Sequence, residues 1–252
     1  MTSKYSQQSC QATDKYRDAV EVRDPADEAI DSEWVIQCDF DGTISRQDVT
    51  DTLLEHYGLP GWEAFEKDWE RGEIGSKECM RGQIALLEMS TADLHRCLDN
   101  IELDPSFLRF AEHAKRKNIE IQVVSDGLDY AIRYLFERAG ITGLQIIANH
   151  LVKDNEHGWH LETPWENSVC PSANCKCLTY RKAHNAGKKV CYIGDGSSDY
   201  CVSERAELVL AKKKLIDYCQ SRDIAFQPFN DFDQAWMAIE ENVLNQSQEL
   251  TV

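Results

Sequence analysis

The stretch "VIQCDFDGTIS", residues 35–45, sets the narrowest limits on what this chain can fold into. An apolar run ends on two carboxylates, Asp39 and Asp41, separated by one phenylalanine and followed at once by Gly42 and Thr43. Carboxylates held together without a cation raise each other's pKa, so a buried strand that ends this way needs positive charge beside it. Two more short apolar runs end in a similar manner. "IEIQVV" (119–124) gives way to Ser125-Asp126-Gly127, and "KVCYI" (189–193) to Gly194-Asp195-Gly196-Ser197-Ser198-Asp199.

Between these runs the pattern is helical. "PSFLRFAEHAKRKN" (105–118) is amphipathic, and "DGLDYAIRYLFERAG" has apolar residues at 128, 131, 132, 135, 136 and 139, with Gly140 placed to end the helix. "LQIIAN" reads as a further strand, "HLVKDNEHGWHLE" as a hairpin turning at Asn155–Gly158, and "ELVLAK" (207–212) as a last strand. Strands alternating with helices predict an α/β fold, a Rossmann-like doubly wound parallel sheet covered on both faces. Ligands of such sheets sit at the carboxyl ends of the strands, where all three polar loops fall.

The block 46–103 is helical throughout and too long for an ordinary crossover, which predicts an inserted helical cap. Ser90 or Thr91 starts one of its helices, and Trp62, Phe65 and Trp69 share a helical stripe that reads as cap core. The α/β core then comprises 34–45 and 104–252, after a polar extension over 1–33.

With 27 basic against 44 acidic residues the chain carries a formal charge of −17, which disfavours nucleic acid or an anionic membrane as partner. No run reaches the ~18 apolar residues of a membrane span. The opening "MTSKYSQQSC" has no apolar h-region, so a cytoplasmic location is expected. The ten cysteines then read as thiols. Cys170, Cys175 and Cys177 cluster in "CPSANCKC". They lack an evident fourth ligand for zinc, and inert thiols are the expectation, with metal binding left open.

In order, "DFDGT", "VVSDG", a lysine and "GDGSSD" resemble the haloacid dehalogenase superfamily of phosphatases. The resemblance implies Asp39 as nucleophile, forming an aspartyl-phosphate, and Asp41 as general acid and then base. It implies Mg²⁺ held by Asp39, Asp41 through its main-chain carbonyl, and Asp195, with Asp199 supporting directly or through water. Helix capping is an alternative role for Asp199. Ser125 with the backbone of Asp126 and Gly127 would bind the phosphoryl group. The superfamily's lysine maps to Lys176, since Lys182, Lys188 and Lys189 lie too deep in the next helix or at the next strand. These residue types suit the chemistry. A hard divalent cation takes carboxylates, waters and a phosphate, and glycines with helix N-termini admit an anion.

The insertion after the first motif resembles the phosphoserine phosphatase branch. "GEIGSKECMRGQIALL" and the "NCKC" lysine segment look closer to its methionine-salvage enol-phosphate phosphatases. The implied substrate is a small phosphorylated metabolite, either 2-hydroxy-3-keto-5-methylthiopentenyl-1-phosphate or phosphoserine. Asp48 and Arg81 are candidates for contacting its leaving group, the alternative being a solvated helix face. A phosphotransferase or mutase on the same scaffold, and a non-catalytic binding protein, are the competing readings. The sequence carries no signal of oligomeric state.

Overall fold

The computed structural model describes residues 33–244. Its centre is β1 (Trp34–Cys38), flanked by β2 (Glu120–Leu128) on one side and β5 (Lys189–Gly194) on the other. Beyond β2 lie β3 (Gln145–Lys153) and β4 (Trp159–Glu162), and beyond β5 lie β6 (Leu208–Ala211) and β7 (Gln227–Pro228). All neighbours pair in parallel except β4, the return arm of a hairpin with β3. The chain thus builds outward from β1 in one direction and returns to build in the other. That reversal opens a crevice at the carboxyl ends of β1, β2 and β5.

Side-chain alternation explains why the sheet must be covered twice. Ile36 and Cys38 of β1 join the main apolar cluster, whereas Val35 joins a second one; Cys191 and Ile193 of β5 divide from Val190 and Tyr192 in the same way. The main cluster takes in α5 (Phe107–Arg116), α6 (Asp129–Ala139) and α10 (Phe232–Ile239). On the other face α7 (Lys176–Asn185) and α8 (Tyr200–Ser203) pack with Val35, and α9 (Lys213–Ser221) packs with β6. Gln37, the polar residue of β1, is buried and receives its partner from the neighbouring strand, Gln122, at 2.9 Å. Gly140 ends α6 at φ 71°, as its position in the sequence predicts. The strand β2 runs further than its apolar pattern, through Ser125-Asp126-Gly127 to Leu128, with its pairing to β3 broken between Val124 and Leu128. That irregularity is where the polar motif sits.

The insertion consists of α1 (Val49–Tyr57), α2 (Trp62–Glu70), α3 (Ser76–Ile84) and α4 (Thr91–Leu98). Ser90 caps α4 with a reciprocal bond from Asp93. The linkers in and out pair with each other, Arg46 N–H to Glu102 O at 2.9 Å and Asp104 N–H to Ile44 O at 2.8 Å. The helices share one apolar cluster with the sheet through Leu53, Leu54, Ile84, Leu94 and Leu98, instead of enclosing a core of their own. The stripe of α2 meets the cap-core expectation only in part, for the helix fully buries no residue, Trp62 packs partly buried against the main cluster, and Trp69 departs from it. Phe65 packs on Gly82 of α3, and Trp69 faces the crevice. The expected polar extension falls outside the described residues except for Glu33. No helix among the described residues is long and apolar enough to cross a membrane.

Candidate active site

The loop after β1 turns on one carbonyl. The N–H groups of Thr43, Ile44 and Ser45 all donate to Phe40 O, at 3.1, 2.8 and 2.9 Å, and Gly42 takes φ 72°. A Cβ at Gly42 would collide with the Asp195 carboxylate, so this loop and the one after β5 touch. Asp39 stays in register with β5 through its N–H to Ile193 O (2.8 Å) and is 4% exposed.

Lys176 opens α7 at 2% exposure. Its Nζ has three acceptors, Asp39 Oδ1 at 2.7 Å, Asp199 Oδ1 at 2.6 Å and Ser198 Oγ at 2.9 Å, which use all three ammonium protons. Burial alone would lower its pKa, but the Asp199 and Asp39 carboxylates outweigh that and hold it above the ordinary lysine value. Asp39 is raised well above the carboxylate range, first by burial and then by Asp199 and Asp195, with Lys176 opposing. Asp199 is fully buried. It accepts from Lys176 and from Tyr192 Oη (2.5 Å) on one oxygen, and from the N–H groups of Asp195 and Gly196 (2.9 Å each) on the other. With both oxygens doubly engaged, it folds the loop and holds the lysine, which matches its capping alternative more closely than a ligand role.

Asp39, Asp195 and Asp199 each bring a carboxylate oxygen within 4.8 Å of the others. Asp195 is half-buried, accepting from Thr43 Oγ1 at 3.2 Å and Lys213 Nζ at 3.0 Å. A hard cation suits this all-oxygen donor set and the excess of negative charge around Asp39. Of these three carboxylates, Asp39 and Asp195 are the ones with capacity left to hold it.

Asp41 takes a bond from Val49 N–H (2.9 Å), the first residue of α1, and lies 3.4 Å from Ser125 Oγ. Burial pushes its pKa up to about 6. A carboxyl titrating there can donate and then accept a proton near neutrality. Ser125 Oγ in turn accepts from Gly127 N–H at 2.9 Å. A Cβ on Gly127 would overlap Asp41 Oδ2. Gly127→Ala is therefore expected to displace that carboxyl and cut kcat by about tenfold or more with unchanged circular dichroism. An unaltered kcat would show that Asp41 does not need this position.

Asp126 also lines the crevice, with both of its carboxylate oxygens engaged. It accepts from Ser76 Oγ (2.5 Å) of α3 and from Asn174 N–H (2.6 Å), just before Lys176. Asn174 itself donates to Ser125 O (2.8 Å) and Ile147 O (2.7 Å), tying β2, β3 and the lysine segment into one knot.

The crevice is a cavity of about 790 Å³. Its floor is formed by Asp39, Asp41, Ser125, Gly127, Asp195 and Ser198, with Lys213 and Lys214 at one side. The inserted helices contribute Asp48, Asp51, Glu66, Trp69, Glu70 and Met80, and no cation. Asp48 caps α1, accepting from Asp51 N–H at 3.0 Å, and its carboxyl also faces the cavity. Arg81 does not join it. The guanidinium points outward to Thr163 Oγ1 and to Glu166 (3.2 Å), so a contact with the leaving group is corrected to a strut between α3 and the segment after β4. Cys170, Cys175 and Cys177 do not assemble as a ligand set either, because among the described residues the carboxylate triad alone has metal-binding spacing.

Lys212 and Lys213 went unread in the sequence. Lys212 Nζ donates to Thr43 O at 3.0 Å, and Lys213 holds Asp195 from a left-handed backbone, φ 47°, unusual for a side chain with a Cβ. The signal was present in "LVLAKKK", a fourth strand end on the same sheet edge.

The pKa shifts set a pH dependence. Asp41 is raised to about 6; Asp48 and Asp51 are solvent-exposed at the crevice wall, yet enclosure there, with Asp41 repelling Asp48 and Asp48 repelling Asp51, raises each to about 7. Unfolded aspartates titrate near ~3.9. Between about 4 and 7 the folded state therefore keeps protons that the unfolded chain has released, so raising pH across this window removes stability. The Tm measured in EDTA is expected to fall from pH 5 to pH 7.5, with a shallower fall in MgCl₂. A rising Tm would refute the clustering.

The family model of haloacid dehalogenase-like hydrolases matches residues 36–204. The Polyol phosphate phosphatase PYP1 of Saccharomyces cerevisiae is 28% identical over 215 residues, covering 79% of this chain and 89% of that protein. A 2-hydroxy-3-keto-5-methylthiopentenyl-1-phosphate phosphatase of Geobacillus thermodenitrificans is 27% identical over 205 residues, covering 79% and 91%. Among solved structures, a substrate-bound phosphoserine phosphatase aligns with a TM-score of 0.64 at 19% identity, over 81% of this chain and 97% of that one. This last likeness speaks to the fold alone.

Proposed function

The chain belongs to the haloacid dehalogenase-like hydrolase family as a phosphatase, and we propose that it hydrolyses a small phosphomonoester through a phosphorylated Asp39, with Mg²⁺ as cofactor. The observation that carries this reading is the Asp39–Lys176 contact of 2.7 Å at the floor of a cavity that also holds a raised carboxyl, Asp41.

The Asp39 carboxylate attacks phosphorus while the ester P–O bond breaks, and Asp41 gives its proton to the departing alcohol. Asp41 then takes a proton from water as that water cleaves the acyl phosphate, which returns Asp39 and releases inorganic phosphate. Lys176 offsets negative charge on both Asp39 and the transferring group. Ser125 and the backbone at Gly127 orient the phosphoryl oxygens. Asp39 and Asp195 would hold Mg²⁺, which when bound would supply charge neutralisation for those oxygens. A reducing, cytoplasmic setting goes with this reading, the nine described cysteines being thiols.

The inserted helices bear on the substrate. Asp48, Asp51, Glu66 and Glu70 line the leaving-group side without a cation, so a carboxylate-bearing leaving group meets like charge there. That disfavours phosphoserine and favours an uncharged, hydroxyl-bearing alcohol. The names of the yeast polyol phosphate phosphatase and the bacterial enol-phosphate phosphatase accord with such a leaving group. In assays of phosphate release with MgCl₂ and with EDTA, kcat/KM for small polyol phosphates or the enol-phosphate is expected to exceed that for phosphoserine by at least about tenfold, since like-charge juxtaposition costs several kcal/mol. All turnover is expected to stop in EDTA. A preference for phosphoserine would overturn the substrate assignment, and turnover undiminished by EDTA would overturn the cofactor.

A further inference from the structure

We infer that Cys177 and Cys201 form a reversible thiol–disulfide site whose closure slows the enzyme. The two sulfurs lie 3.3 Å apart although 24 residues separate them in sequence. Cys177 is the second residue of α7 and half-buried, and Cys201 is the second residue of α8 and exposed. Six of the other described cysteines (38, 79, 97, 175, 191 and 219) are buried, which leaves this pair the accessible thiols already in contact. A hydrogen bond with Cys201 holds the Cys177 thiol below its ordinary pKa, with help from Arg205 against burial. That favours its thiolate, the reactive form.

The position of the pair gives it a consequence. Cys177 directly follows Lys176, and Cys201 stands two residues after Asp199, so the sulfur contact joins the same two segments that the Lys176–Asp199 bond of 2.6 Å already joins. A disulfide requires about 2.05 Å between sulfurs, so closure brings the two Sγ atoms roughly 1.2 Å closer than their 3.3 Å contact, and the part that side-chain rotation does not supply falls on the first turns of α7 and α8. Lys176 and the 195–199 loop adjoin those turns and share their displacement. A displacement of about 1 Å at catalytic groups is worth up to ~100-fold in rate.

The oxidant is a peroxide. The Cys177 thiolate attacks the O–O bond, taking one oxygen as a sulfenic acid and releasing the other as hydroxide, which a proton converts to water. The Cys201 thiol then attacks the sulfenic sulfur, the S–S bond forms, and the sulfenic oxygen leaves as a second water. A dithiol reverses the change by two-electron reduction through exchange.

The rate effect rests on the proposed hydrolase chemistry, whereas the cross-link does not. The test uses the full chain, reduced, desalted and exposed to graded hydrogen peroxide. Mass spectrometry is expected to find a Cys177–Cys201 peptide with the loss of two hydrogens. p-Nitrophenyl phosphate turnover should fall at least about tenfold in step with it, and dithiothreitol should restore both. Cys201→Ser should match the reduced parent in rate and keep its activity under the same peroxide dose. Absence of that cross-link, a cross-link without a change in rate, or equal peroxide sensitivity of Cys201→Ser would each overturn the inference. A reduced protein without turnover would instead count against the hydrolase reading, because the cross-link is scored by mass.

Discussion

Asp39→Asn is expected to lower kcat/KM for p-nitrophenyl phosphate at least about a thousandfold, as removal of a covalent nucleophile does elsewhere. The substitution is nearly isosteric. Its amide oxygen still accepts from Lys176, 2.7 Å away, but the side chain no longer offers an anionic oxygen to phosphorus. Loss of folding does not explain such a result, because the native carboxyl is held at a cost. Burial, Asp199 and Asp195 raise its pKa well above the ordinary range. Removing that charge should leave the Tm in EDTA equal to or above the parent's, while the Tm gain from MgCl₂ shrinks because one donor has weakened. An acid-stable, hydroxylamine-labile phosphoryl label should appear on the parent during turnover and be absent from the variant. Retention of a tenth of the parent rate would remove Asp39 from the role of nucleophile.

The sheet was legible because its strands are buried on both faces and their ends are polar. A continuous apolar run that stops at Asp39, Ser125 or Asp195 records both the strand and the edge where it ends. Lys176 was legible too, since a lysine one helix and one strand ahead of Asp195 lands at the start of α7. What escaped depends on partners distant in sequence. Arg81 has the look of a substrate contact until Thr163 and Glu166, more than eighty residues away, claim it. The two oxygens of Asp199 are filled by Lys176, Tyr192 and two backbone N–H groups, a packing that no local pattern encodes. Lys213 reaches Asp195 only because β6 lies beside β5. Trp69 and Phe65 share a stripe, yet one lines the cavity and the other packs on Gly82, because α2 lies against α3 without being buried by it.

Lys176→Met is expected to separate what this lysine does for the fold from what it does for catalysis. The substitution keeps the length and much of the volume of a side chain that is 2% exposed, but leaves Asp39 and Asp199 without their shared cation. Breaking one side of a buried ion pair costs about 3–5 kcal/mol. For a chain of this size that corresponds to a Tm drop on the order of 10 °C. With the site more anionic, the Tm gain from MgCl₂ should exceed the parent's, while kcat/KM stays down at least about a hundredfold because the transferring phosphoryl group has lost its counter-charge. The double variant Lys176→Met with Asp199→Asn removes one of the two uncompensated charges as well. It should recover a large part of the lost stability, since removing both partners of a buried pair costs less than removing one. Its turnover should remain near that of the single variant. If stability and turnover return together, Lys176 matters through folding alone; if neither single-variant loss appears, the Asp39–Lys176 contact is not the centre of the chemistry.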